Sequence, residues 1–421
     1  MQGNGKEVEG SRNGGSPSIG GIRGLTARTV FGTAAAPPGH SFSLTCQGEA
    51  LGPWKNEGAP LEAPFLDGSD CTLLPGFIDV HIHGSGGAEM MDARPESLAT
   101  MSRFLAQHGV TGFYATTVSA SHSATLAAVE NVARYVDQAQ SGNDGAQVSG
   151  ARIMGVHLEG PYLNPQFPGA QNPDYLRPPS VEEFEELLAA GPVRMITLAP
   201  EVPGAEALIG AALAAGVRVV LGHTAATFEE ASAAIGAGVS QATHTFNAMT
   251  GLHHRAPGTV GATLSDDRIY AQLIADGIHV HPAAMRILGR CKGPSRTLLI
   301  SDANRAAGMP PGRYEMGRLP VIVKDGACRL EDGTLAGSVL ALDAALRNFM
   351  SATGWPLVQA WPSTSLSQAQ AMGIEGEVGR IRSGARADLT LLDADAEVVA
   401  TVVGGRLVFL RDSWRLKDGA A

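Results

Sequence analysis

His81 and His83 flank Ile82 at the end of the apolar run Phe77-Ile78-Asp79-Val80. In a strand, alternate side chains share a face, so both imidazoles can converge on one point while Ile82 turns away. Glu159 closes the run Val156-His157-Leu158 before a Gly-Pro stop, and His223 ends VRVVLGHT. His244 lies in QATHTFNAM and Asp302 ends TLLISDA. Each signal has an ordinary reading by itself: HxH pairs are common, a lone His on an apolar strand is usually a satisfied core residue, and a terminal Glu can cap a helix. Asp302 is the costly one, because a buried carboxylate has to be paired or metal-linked. Together the six residues form a His/carboxylate set suited to Zn2+, with Fe2+ or Mn2+ as alternatives and with one or two ions. Such an ion brings the pKa of bound water from ~15.7 toward ~7 and polarises a carbonyl. Asp302 then serves as general base toward that water and as general acid toward a departing amine. The chemistry implied is hydrolysis of an amide or a related bond.

The elements that must position these groups can be read around them. From Leu73 onward, apolar runs (LLPGFIDVHIH, TGFYATT, IMGVHLEGP, VRMITLAPE, VRVVLGHT, SQATHTFN, IYAQLIADGIHV and RTLLISDA) alternate with helix-compatible stretches such as VEEFEELLAA and TFEEASAAIGAG. That alternation predicts a parallel sheet buried on both faces and closed into an α/β, (β/α)8 TIM-type barrel. The candidate residues end the first, third, fifth, sixth and eighth runs, on the face where barrel enzymes carry their active sites. Short β-like runs on both flanks (HSFSLTC, ADLTLLDA, EVVATVVGGRLVFLR) predict a small β-sandwich built from both ends of the chain. The expected division is a flexible tail over 1–21, the β-sandwich over 22–74 plus 377–421, and the hydrolase barrel over 75–376.

Composition narrows the partners. A formal charge of −10 without a Lys/Arg run argues against nucleic acid, so an anionic substrate needs a local Arg or His. Cys46, Cys71, Cys291 and Cys328 lack CxxC spacing and read as reduced thiols. No apolar run reaches the ~18 residues of a membrane span, and the N-terminus has no signal-peptide core, which makes the cytoplasm the default compartment.

The stretches PGFIDVHIHGSGG, GVHLEGPYLNP, LGHTAATFEEASAAIGAG, THTFNAMTGLHHRAPGTVGA, IADGIHV, SDANRAAGMPPGRY and GTLAGSVLALDAAL carry a resemblance. From about Leu74 to the closing IRSGARADLTLLDADAEVVATVVGGRLV, the chain resembles the N-acetylglucosamine-6-phosphate deacetylases of the amidohydrolase superfamily. The resemblance implies that Glu159, His223 and His244 bind the main catalytic metal, and that His81 and His83 hold a second ion bridged through Glu159. It implies that Asp302 is the acid/base, that His279 and the backbone of Asn247 and Ala248 meet the substrate, and that Arg255 grips the sugar phosphate across a homodimer interface. Arg suits that task because its planar fork binds phosphate bidentately. One position departs: in QFPGAQNP, Gln171 stands where many relatives place a His that helps polarise the acetyl carbonyl. A Gln amide donates a hydrogen bond but carries no charge, which leaves the substrate epimer open between N-acetylglucosamine and N-acetylgalactosamine 6-phosphate, with unphosphorylated N-acetylhexosamines also in view. A cyclic-amide hydrolase would call for a carboxylated Lys after the fourth run, where ITLAPE has none. A deaminase would call for HxxE, which THTFN does not match, and a silent binding barrel would have shed ligands that are all present here. Arg305 is expected as a solvent-facing loop residue, with a second anion contact as the alternative. His108, His122, His253, His254 and His281 are expected at the surface or in packing, and Met90-Met91 in the loop after the first strand.

Overall fold

The computed structural model describes residues 21–33, 42–55, 64–141, 150–412, 414 and 416–417; the tail expected over 1–21 lies outside them apart from Gly21. The barrel strands are β1 (Phe77–Ile82), β2 (Val110–Thr116), β3 (Arg152–Glu159), β4 (Val193–Leu198), β5 (Arg218–Leu221), β6 (Gln241–Ala242), β7 (Tyr270–Ile274) and β8 (Thr297–Ile300). They pair in sequential order as one parallel sheet. Each strand is followed by a helix: α1 (Pro95–Gln107), α2 (His122–Ser141), α3 (Val181–Ala190), α4 (Ala205–Ala214), α5 (Phe228–Ala237), α6 (Gly258–Ser265), α7 (Pro282–Arg296) and α8 (Leu342–Thr353). β1 and β2 are buried at every position, which is why these runs read as continuously apolar: helices cover one face and the barrel interior fills the other.

The seam between β8 and β1 closes at its carboxyl end. Asp302 donates its N–H to the His81 carbonyl (2.9 Å), and His83 and Gly84 donate theirs to the Ala303 carbonyl (2.9 and 3.0 Å). The closure therefore runs through the residues expected to do chemistry.

The flank strands Gly24–Val30, Phe42–Gln47, Ala50–Lys55 and Phe65–Pro75 join Leu389–Leu392, Val398–Val403, Arg406–Leu410 and Leu416–Lys417. They form one eight-stranded sheet rather than two separate ones. The sandwich arises because this sheet folds over its own core of Leu25, Leu44, Leu73, Leu391 and Val402. Hydrogen bonds from the Ile22 N–H to the Gly405 carbonyl (3.1 Å) and from the Leu51 N–H to the Ala385 carbonyl (2.8 Å) join N-terminal to C-terminal segments of this unit. Asp388 fastens it to the barrel, accepting from Arg152 at 3.2 Å through its side chain and from the Gly76 N–H at 2.9 Å through its carbonyl.

Two elements differ from the sequence expectation. The sixth run forms only Gln241–Ala242 as strand before the chain turns sharply through His244. Between β8 and α8, Gly312–Met316, Leu319–Lys324 and Ala327–Arg329 form a three-stranded antiparallel sheet. It packs Met316, Val321 and Cys328 against Val118 and Ala306, so it covers the barrel mouth.

Candidate metal centre

Glu159 is the hub. Its Oε1 lies 3.2 Å from His244 Nε2 and 3.4 Å from the Nε2 atoms of both His223 and His81; its Oε2 lies 3.3 Å from His83 Nε2. Two three-residue sets share it, His81/His83/Glu159 and Glu159/His223/His244, each with its ligand-type atoms within 4.8 Å of one another and all of them buried. Asp302 Oδ1 faces the first pair at 3.4 Å from His81 and 3.2 Å from His83. The six residues expected from the sequence thus meet at one point, carried by β1, β3 and the turns that follow β1, β5, β6 and β8.

The outer nitrogens decide which atoms point inward. His83 Nδ1 faces the Thr116 carbonyl (3.3 Å), His223 Nδ1 the Phe167 carbonyl (2.9 Å) and His244 Nδ1 the Asn247 carbonyl (3.2 Å). A carbonyl oxygen only accepts, so each Nδ1 donates and the neutral ring is left with its lone pair on Nε2. His81 Nδ1 faces Gln272 Oε1 at 3.2 Å, and that amide is oriented by its own donation to Gln241 Oε1 at 3.0 Å. Four imidazoles with anchored outer nitrogens and inward lone pairs are what a divalent ion requires, and the donor set fits one.

Electrostatics agree. Burial opposes ionisation of Glu159, yet His81, His223 and His244 hold its carboxyl well below the usual range. Burial likewise opposes the charged form of His83, but Asp302 and Glu159 push it up to about 10. The imidazoles hold Asp302 at about 2 against the same burial penalty. Two buried carboxylates here draw positive charge to the imidazoles, as protons or as a metal ion.

Backbone strain is concentrated at the same place. His223 (φ 47°), His244 (24°), Phe246 (85°), Ala248 (48°) and Asp302 (47°) all occupy the left-handed region, which non-glycine residues hold only where their surroundings compel it. The capping box of Thr227 and Glu230 starts α5 immediately after the His223 turn. Glu201, from the loop after β4, accepts from Asn164 Nδ2 (2.8 Å), the Ala225 N–H (2.6 Å) and Thr224 Oγ1 (2.5 Å), tying the loops on either side of His223. Gly169 (φ +55°) allows the loop after β3 to approach, since a Cβ there would lie 3.0 Å from His223 Cε1.

A cavity of about 320 Å³ opens over the cluster. Gln171, Asn247, Ala248 and His279 line it together with His83, Glu159, His223, His244 and Asp302. Arg255 does not; it lies on an exposed loop, its Nη1 2.7 Å from His254 Nε2. Among the described lining residues there is no Lys or Arg. Arg305 is not solvent-facing as expected: it is half-buried and paired with Glu89 (2.9 Å) and Asp92 (2.8 Å). His253, His254 and His281 are exposed, while His108 and His122 pair with Asp343 and Glu183, each at 3.0 Å. Sequence reasoning missed the cavity wall formed by Met316, Thr334 and Leu335; the alternating run before the Asp325-Gly326 turn was the available hairpin signal. It also gave no role to Asp79, wholly buried beneath His81, whose carboxyl burial pushes up to about 6 while its Oδ1 accepts from the His81 N–H at 3.2 Å.

Residues 72–408 match the amidohydrolase family. The chain is 42% identical over 339 residues to the N-acetylglucosamine-6-phosphate deacetylase of Vibrio furnissii, covering 80% of this chain and 83% of the relative. It is 41% identical over 337 residues to the N-acetylgalactosamine-6-phosphate deacetylase of Escherichia coli O157:H7, covering 80% and 87%. A solved mutant of the Mycobacterium smegmatis N-acetyl-D-glucosamine-6-phosphate deacetylase, in complex with N-acetyl-D-glucosamine-6-phosphate, superposes with a TM-score of 0.84 at 33% identity over 92% of this chain and 100% of that one.

Proposed function

The chain belongs to the amidohydrolase family, within its N-acetylglucosamine-6-phosphate deacetylases, and on that premise we propose that it hydrolyses N-acetyl-D-glucosamine 6-phosphate to D-glucosamine 6-phosphate and acetate. The observation that carries the reading is the pair of His/Glu sets sharing Glu159, with Asp302 Oδ1 at 3.2 and 3.4 Å from the His83 and His81 rings. Glu159, His223 and His244 would hold the main ion, and His81 and His83 with Glu159 a second; Zn2+ is the first choice, Fe2+ or Mn2+ the alternatives. A bound divalent cation supplies acidification of water and polarisation of the amide carbonyl. Asp302 takes the proton of the attacking water and returns it to the amine nitrogen as the C–N bond breaks.

Gln171, Asn247, Ala248 and His279 are assigned to the sugar, its acetyl group and its phosphate. Because the described cavity wall offers no Lys or Arg, a guanidinium for the phosphate has to come from outside it. Arg255 of a second copy suits this, and the enzyme would then act as a homodimer. A phosphorylated sugar is too costly to desolvate for unaided membrane passage, which supports a cytoplasmic setting for the reaction. No helix among the described residues is long and apolar enough to cross a membrane.

A second reading keeps the chemistry and changes the epimer, supported by the 41% identity to the galactosamine relative and by Gln171. Acetate release from both 6-phosphates and both free sugars tests the proposal. Turnover of the gluco phosphate above all others supports the first reading, preference for the galacto phosphate the second, and silence across the panel ends both.

A further inference from the structure

Gln171 is almost fully buried at 4% exposure, and both ends of its amide are used inside the protein. Its Oε1 accepts the Ser119 backbone N–H at 2.6 Å, and its Nε2 donates to Glu159 Oε2 at 2.7 Å. A backbone N–H can only donate, so the amide cannot turn over, and its NH2 faces Glu159 by necessity.

The two carboxylate oxygens of Glu159 do different work. Oε1 faces His223, His244 and His81; Oε2 faces His83 and receives the Gln171 N–H. Rotation of the carboxylate about its last side-chain bond is broad and soft in the absence of a partner. Held by Oε2, the group keeps that oxygen beside His83 while Oε1 serves His223, His244 and His81; released, it can turn toward the richer His223/His244 side and leave His81 and His83 with Asp302 as their carboxylate. The same loop is fixed at its other end, where the Phe167 carbonyl meets His223 Nδ1 at 2.9 Å.

We propose that Gln171 is a positioning residue that holds Glu159 in its bridging posture and thereby makes His81/His83/Glu159 a second metal site. This rests on the metal-dependent reading above. It goes beyond a sugar contact for Gln171: the residue sets how many ions the barrel keeps.

The test is Zn2+ binding by the full-length protein, by equilibrium dialysis against buffered free Zn2+ with elemental analysis, alongside Mn2+ electron paramagnetic resonance. Wild type is expected to take two ions, with exchange coupling between paired Mn2+. Gln171→Met keeps the length but removes the donor. It should weaken the second ion about 10- to 100-fold, the usual effect of losing a partner to a metal ligand, shift the first less than threefold, and abolish the coupling. Gln171→Asn keeps an amide too short to span Ser119 and Glu159, so it should act in the same direction even if the Met variant does not fold. Unchanged binding of both ions, equal weakening of both, or a wild type holding a single ion overturns the inference. A wild type that binds no Zn2+ or Mn2+ overturns the metal-dependent reading itself.

Discussion

At the carboxyl end of the barrel, His223, His244, Phe246, Ala248 and Asp302 sit at positive φ around two buried carboxylates. In the flanking sheet the described non-glycine residue at positive φ is Ala396, in a turn, and the core is Leu, Val, Ile and Ala with one cysteine. Strained, charged and hydrogen-bonded to its last nitrogen, the first region costs stability; the second supplies it by apolar burial. Left-handed backbone costs about 1–3 kcal/mol per non-glycine residue, so the rim is a place where stability has been given up for geometry.

Substitutions can break this contrast in either direction. The largest effect is expected at the hub. Glu159→Gln removes the charge common to both His sets and should cost both ions and about 1000-fold or more in kcat, with a lower urea midpoint than wild type because the buried His rings lose the carboxylate they pair with. An active, metal-replete variant would count against the shared-carboxylate account. Next comes the flank, where Leu391→Ala opens a cavity in the folded sheet and should lower unfolding free energy by about 2–5 kcal/mol. Below the melting transition its kcat and KM should match wild type; a changed KM would mean that the sheet shapes the site.

Glu201→Gln sharpens the comparison from inside the rim. It weakens the ties of Asn164, Thr224 and Ala225 without touching a ligand, so metal affinity should fall about tenfold with little loss of stability. The smallest effect lies away from both regions, at Asp343, whose carboxyl is held below its ordinary value because His108 and Arg347 outweigh burial. A depressed folded pKa gives stability that is present above the unfolded value of 3.8 and lost as pH falls through the folded one. Urea midpoints at pH 5 and pH 3 should differ less in Asp343→Asn than in wild type, and an identical difference would remove this pair from the account.

Much of the barrel was legible because its strands are buried on both faces and so read as apolar runs with a polar residue at the end. The six residues of the cluster were legible for the same reason, since His and Asp at strand ends break that pattern. The short sixth strand was not, because the left-handed turn at His244 is imposed by tertiary packing. The hairpin over the mouth escaped notice since half of its residues face solvent and its runs are short. The engagement of Gln171 with Ser119 and Glu159 joins residues 52 and 12 positions apart, a contact no local pattern encodes.

The most direct test of the central claim is acetate release from N-acetylglucosamine 6-phosphate by Zn2+-loaded wild type and Asp302→Asn side by side. Asp302 lies beside the His rings, and losing the acid/base should lower kcat by about 100- to 10,000-fold while bound Zn2+ stays the same. Retained activity in the variant, or a wild type that releases no acetate, would contradict the account.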